Sequence, residues 1–230
     1  MHSKTLHKLD NPVWYALTEA HQDFAIGSNK LKRYQKMISP FLAFNEHEIN
    51  VFEELEELIE KDEIFYIIND LPPLPSNYII EKKIICPQMI CNEPAEVSLP
   101  DIFVRQLNDQ DDDKILALIN EVFPGFYVRG TRLMGDYYGI FDNERLVSIS
   151  GERLKMDGLT EISAVVTHPR YAGRKYAQKL VMHLVNKNRE DGITPFLHTE
   201  DTNQRAIRMY EHLGFVTRRN IDVWKIKRTA

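Results

Sequence analysis

Cysteine is scarce in this chain. Among 230 residues there are two, Cys86 and Cys91, with four residues between them. A structural zinc site needs four ligands, and no second cysteine pair completes one, so no metal is expected and both thiols read as reduced and structural. Long apolar runs are missing too. No stretch approaches the roughly 20 residues that cross a bilayer, and Met1 to Thr5 leads into no signal core, so a soluble, cytoplasmic protein without a membrane partner is expected. No excess of positive charge exists: the net charge is -5, which argues against nucleic acid as a partner of the whole surface. Internal repeats and low-complexity tracts are absent.

What is present is a core. At 43% apolar residues the chain can fill one large domain or two small ones. A break is expected near residues 92 to 101, where Asn92-Glu93-Pro94 and Leu99-Pro100-Asp101 interrupt the pattern, dividing a smaller α/β domain (1–100) from a second domain (101–230).

In the first part, Asp10 or Asn11 followed by Pro12 signals a helix start, with Val13, Leu17 and His21 along one side. Residues 28 to 45 show no sustained period and read as an irregular packed segment. Glu46 to Lys61 is an amphipathic helix with Val51, Leu55, Leu58 and Ile59 inward. Ile64 to Ile68 is a strand, and Tyr78 to Cys91 gives one or two more around Pro87.

In the second part, Phe103 to Leu107 reads as a short strand and Asp111 opens a helix carrying Ile115, Ile119 and Val122. Tyr137 to Phe141 and Arg145 to Ser150 pair as a hairpin across Asp142-Asn143-Glu144, and a third strand runs from about Gly151 to Met156 or continues the second. Glu161 to Thr167 is β-rich and mostly apolar, as a strand buried on both faces should be. After His168-Pro169, the residues Ala177, Leu180, Val181, Leu184 and Val185 form one apolar helix face, closed by Asp191-Gly192. Thr194 to Thr199 is a strand. Asp201 or Thr202 caps a last helix with Ala206, Met209, Tyr210 and Leu213 on its apolar face, and Phe215-Val216 and Ile221 to Ile226 finish as a hairpin.

Between strand and helix lies Arg170-Tyr171-Ala172-Gly173-Arg174-Lys175-Tyr176-Ala177. Its small residues let a ligand approach the backbone, and the free N–H groups of a helix's first turn carry partial positive charge. No acidic residue appears between His168 and Arg189, so a pyrophosphate suits the turn, although a basic, solvated helix start fits the same residues. With no Gly-Lys-Ser or Gly-Lys-Thr after the glycine, a P-loop phosphotransferase is the weakest reading.

The order of elements from about 102 to 228, together with two segments, resembles the GNAT superfamily of N-acetyltransferases. One segment is Val165-Val166-Thr167 through Ala177, similar to the family's acetyl-CoA pyrophosphate loop; Ala177 conforms to the usual pattern, while Ala172 and Lys175 depart from it. The other is Asn203 through Phe215, which follows the family's Asn, Ala, Tyr, Gly-Phe pattern. The resemblance implies an α/β (α+β) fold with a mixed, mostly antiparallel central sheet flanked by helices. It implies acetyl transfer from acetyl-CoA to a primary amine, with Val165, Val166, Thr167, Arg170, Tyr171, Ala172, Gly173, Arg174, Lys175, Tyr176, Ala177, Asn203, Ala206 and Tyr210 holding the cofactor.

Tyr210 matches the family's general acid, and a buried core aromatic is the plainer reading of the same spacing. Asn203 resembles a cofactor contact, with helix capping as its alternative. Glu161 and His198 are the candidate bases. The element order also looks like glycine N-acyltransferase-like enzymes, which makes a small amine or an amino acid the expected acceptor, with a second copy of the chain allowed for as a partner. The alternative is a non-catalytic acyl-CoA-binding module.

Overall fold

A computed structural model of the chain describes residues 5–45, 52–125 and 127–229. In chain order it contains α1 (Pro12–Thr18), β1 (Ala25–Gly27), β2 (Leu31–Tyr34), β3 (Phe41–Phe44), α2 (Phe52–Leu58), β4 (Ile64–Ile68), β5 (Tyr78–Ile90), β6 (Arg105–Gln106) and α3 (Asp112–Val122). It continues through β7 (Tyr137–Asp142), β8 (Arg145–Met156), β9 (Leu159–Thr167), α4 (Tyr176–Glu190), β10 (Thr194–His198), α5 (Gln204–His212) and β11 (Val216–Arg228). The eleven strands form one sheet in the order β1-β2-β3-β4-β11-β5-β10-β9-β8-β7-β6. Only β3 with β4 and β9 with β10 run parallel among the described pairs.

The sheet passes without interruption across the expected break. Residues 92 to 104 contain no helix or strand, yet β5 lies between β10 and β11, and β4 lies on the other side of β11.

Several expectations are corrected. The stretch from 28 to 45 is two strands, β2 and β3, whose inward Leu31, Tyr34 and Leu42 are fully buried; four-residue strands are too short to show a period. Asn11 does not cap α1 with its side chain, which instead donates from Nδ2 to the Phe44 carbonyl at 2.8 Å. The helix expected from Glu46 is described only from Phe52, residues 46–51 lying outside the described ones; Leu55 and Ile59 are inward as expected. Phe103 is 80% exposed, and only Arg105 and Gln106 of its segment pair.

The closing hairpin is instead the single 13-residue β11, paired along its length with the 13-residue β5. The hairpin expected from the sequence would turn within residues 217–220. In the structure Arg218 is the extra residue of a bulge, and its guanidinium reaches Gln88 Oε1 at 3.0 Å and Asp10 Oδ1 at 2.7 Å. The same bulge sits beside Pro87, where β5 lacks a donor.

α4 packs on the sheet as its sequence requires. Leu180, Val181, Leu184 and Val185 are fully buried; the last three share a cluster with Met89, Ile162, Leu213 and Phe215, and Leu180 packs with Ile140 and Val147. Truncating one such leucine to alanine costs about 2–5 kcal/mol. α5 is capped by Asn203, not by Asp201 or Thr202: its Oδ1 accepts from the Ala206 N–H at 3.2 Å. Gly214 ends α5 at φ +95°, and a Cβ there would stand 2.5 Å from the Glu93 carbonyl oxygen, so this turn takes only glycine.

Candidate functional site

β9 and β10 pair only at Leu159–Glu161 against Thr194–Phe196; beyond that point the two strands diverge. Into the split opens a cavity of about 1040 Å³. Its walls include every residue of β9 from Ile162 to Thr167, the turn before α4, the inner side of α5, and residues of β3, β4, β5 and β11. A strand shows both alternating sides to one cavity only if it is locally twisted. Here β9 carries one extra residue opposite Ser150, and Ala164 adopts φ +50°. Such a bulge leaves main-chain groups unpaired and turns them toward the opening.

The turn before α4 is built from two left-handed residues, Gly173 at φ +80° and Lys175 at φ +60°. Lys175 caps α4 without any side-chain bond, its Nζ donating instead to the Ser98 carbonyl at 3.1 Å. As a result the main-chain N–H groups of residues 173–178 find no acceptor among the described residues. They lie where the helix dipole is positive, which is the chemistry a diphosphate needs. Gln178 Oε1 is buried in the same wall without a partner, a ready acceptor for an amide N–H.

The turn is anchored from behind by His168, whose Nδ1 accepts from the Arg170 N–H at 3.2 Å. That bond fixes the tautomer, so Nε2–H donates to Glu121 Oε1 at 2.9 Å on α3. Neither residue is signalled by a sequence motif.

Most cofactor candidates meet at this cavity. Val165, Val166 and Thr167 line it from β9; Tyr171, Ala172, Gly173, Lys175, Tyr176 and Ala177 line it from the turn; Asn203, Ala206 and Tyr210 line it from α5. Arg170 and Arg174 do not: both are exposed, and the Arg174 guanidinium lies 4.9 Å from the Tyr171 ring centre.

Tyr210 is 6% exposed, packs edge-on against Phe215, and has no hydrogen-bond partner among the described residues. Burial pushes its phenol above the ordinary value of 10, so it holds its proton.

The two base candidates are joined. Glu161 is fully buried; it takes a two-pronged bond from Arg153, both at 2.7 Å, and His198 Nδ1 lies 2.7 Å from its Oε1. Burial would raise its pKa, but Arg153 and His198 outweigh that and hold it at about 2. Glu161 does not line the cavity; Arg153 and His198 do. His198 Nε2 faces Gln88 Nε2 at 3.0 Å, and an amide nitrogen only donates, so this ring nitrogen is the acceptor. Arg153 was missed in sequence, where Glu152-Arg153 and Lys155 read as an ordinary charged stretch.

Among the described residues no cluster of His, Cys, Asp and Glu could hold a metal ion. Cys86 and Cys91 are free and buried, and burial raises their thiols to about 12 and 11. No helix among the described residues is long and apolar enough to cross a membrane.

Comparison with known proteins agrees with this architecture. The family model of FR47-like proteins matches residues 137–224. No curated protein matches. A crystal structure from Novosphingobium aromaticivorans DSM 12444, ascribed to the GNAT acetyltransferase family, is 29% identical over 97% of this chain and 100% of its own, with a TM-score of 0.88. A GCN5-related N-acetyltransferase from Kribbella flavida covers 100% of this chain and 97% of its own at 12% identity, with a TM-score of 0.58. A Drosophila protein covers 86% of this chain and 73% of its own at 14% identity, with a TM-score of 0.63. The large, mostly antiparallel sheet split between β9 and β10 and flanked by helices is the GNAT acetyltransferase fold.

Proposed function

We propose that the protein transfers an acetyl group from acetyl-CoA to the primary amine of a small molecule or amino acid. The observation that carries this reading is the run of unpaired main-chain N–H groups at 173–178, opening on the cavity that also holds Tyr210. Acetyl-CoA supplies the activated acyl carbon. The 173–178 amides fit its diphosphate, Gln178 and Asn203 its amide-bearing arm, and the bulged backbone of 164–166 offers donors for the acyl oxygen. Tyr210 holds a proton for a departing thiolate: the phenol is buried, unpaired and on the cavity wall.

Glu161 serves as a positioning residue under this reading. A carboxyl held at about 2 is too weak a base for an ammonium group, but it fixes the His198 ring and the Arg153 guanidinium. A second reading, a non-catalytic acyl-CoA-binding module, is favoured by one observation: the Gln88 amide occupies the nitrogen with which His198 would take a proton.

The deciding experiment is thiol release from acetyl-CoA with a panel of amines, alongside calorimetry with coenzyme A at low salt. Binding with turnover supports transfer; binding with no turnover on any amine supports the module. No heat with coenzyme A removes both.

A further inference from the structure

Two residues of the cavity wall carry buried phenol oxygens. Tyr127 Oη and Tyr137 Oη are without partners among the described residues, and their rings meet edge to face at 6.0 Å. Tyr137 is 1% exposed, so an unmade hydrogen bond there is a net cost to the fold. Such a cost is sustained where a ligand completes the bond.

Arg153 supplies the third open donor. Its Nε and Nη2 are committed to Glu161, while Nη1 has no partner among the described residues. The guanidinium is held in place from below by that carboxylate and from the side by the Phe41 ring, 4.9 Å away. Tyr137 stands within its electrostatic reach.

We propose that Tyr127, Tyr137 and Arg153 Nη1 form a subsite for a carboxylate on the acceptor, which is therefore an amine that also bears a carboxyl group. The inference rests on the acyl-transfer reading of the same cavity. Phenol and guanidinium groups both donate, and an ionised carboxylate has about four acceptor positions with no proton to place. Burial, reinforced by neighbouring acidic groups, keeps both phenols protonated, so neither becomes a repelling phenolate. An ammonium has no lone pair to offer and would leave Arg153 Nη1 without an acceptor, and a carboxamide offers one acceptor oxygen where a carboxylate offers two. The adjoining wall is apolar, with Phe41, Ile84 and Val223, so the body between carboxylate and amine is hydrocarbon rather than sugar. Because Glu161 already offsets the Arg153 charge, recognition comes from three directed hydrogen bonds and depends weakly on salt.

The test compares three acceptors in the thiol-release assay: an apolar amino acid, its carboxamide, and the corresponding amine without a carboxyl group. The acid should show a KM at least about tenfold below both analogues. Tyr137→Phe and Tyr127→Phe should each raise the acid's KM about fivefold to tenfold, leaving the analogues' KM, kcat and the calorimetric affinity for coenzyme A unchanged. Both variants keep the ring and remove only an unpaired hydroxyl, so they should fold as the parent does. Equal KM values for the three acceptors, or an acid preference untouched by Tyr137→Phe, overturns the subsite while leaving acyl transfer standing. If no amine turns over, equilibrium dialysis with coenzyme A present decides the subsite separately: saturable binding of the acid but not of the carboxamide supports it, and no binding of the acid overturns it.

Discussion

His198 Nδ1 lies 2.7 Å from Glu161 Oε1, while the other nitrogen of the same ring is 3.0 Å from Gln88 Nε2. A histidine bonded on both sides is fixed in orientation and tautomer, and it faces the cavity as part of a rigid wall with Arg153. The charges here are compensated rather than free, which has a consequence for stability before any for catalysis.

Acid should weaken the fold in two stages. Burial lowers His21 from 6.5 to about 4, outweighing its bond to the Met134 carbonyl, so between those values the unfolded chain binds a proton that the folded chain refuses. Glu161 is depressed from 4.5 to about 2, so again the unfolded state binds more protons between those values. Stability rises with pH wherever the unfolded state binds more protons, so it is lost as pH falls through each window, by on the order of 3 kcal/mol apiece. Urea titrations from pH 7 to 3 should show both declines, and His21→Gln should remove the upper one. A flat midpoint between pH 6.5 and 4 would contradict the burial of His21.

Tyr210→Phe should lower kcat by about 100-fold to 10,000-fold, the usual contribution of a positioned acid, with the coenzyme A affinity unchanged. Because burial raises this phenol, kcat in the parent should show no alkaline loss from Tyr210 below pH 10. Stopped thiol-release assays over pH 6 to 10 measure both. A variant as fast as the parent would return Tyr210 to the core.

The cysteines should be silent. With thiols raised to about 12 and 11 by burial, Cys86 and Cys91 are almost entirely protonated at pH 8. A thiol-reactive chromophore should label neither within minutes in native buffer and both in denaturant. Rapid native labelling would show that β5 opens locally.

Two glycines allow the proposed cofactor turn and the proposed acceptor subsite to be tested apart. A Cβ on Gly151 would stand 2.4 Å from the Tyr137 ring, so Gly151→Ala should displace that ring and raise acceptor KM while sparing coenzyme A binding. Gly173 has open space around it but φ +80°, so Gly173→Ala strains the turn by about 1–2 kcal/mol and should weaken coenzyme A binding about tenfold while sparing the acceptor. Calorimetry and acceptor KM on both variants check the pair.

The second half of the chain was legible because its elements are long and locally encoded. α4 and β9 follow from spacing, and the hairpin of β7 and β8 from Asp142-Asn143-Glu144, with Asn143 at φ +51°. The strands β2 and β3 were hidden because four residues cannot display a period, and β11 because its bulge at Arg218 falls where the hairpin turn is expected. Asn203 takes the cap from Asp201 and Thr202, a choice among adjacent polar residues that only backbone geometry makes.

By itself the sequence determined the turn of small residues after β9, the helix that follows it and the place of Tyr210 on the apolar face of the last helix, since each depends on residues within one or two turns of each other. The tertiary structure alone decided that Arg153 would neutralise Glu161, that Gln88 would cover His198, and that β5 would cross into the sheet beside β10. Those outcomes depend on desolvation and on pairing between residues far apart in the chain, whose energies arise only once water has been excluded from between them.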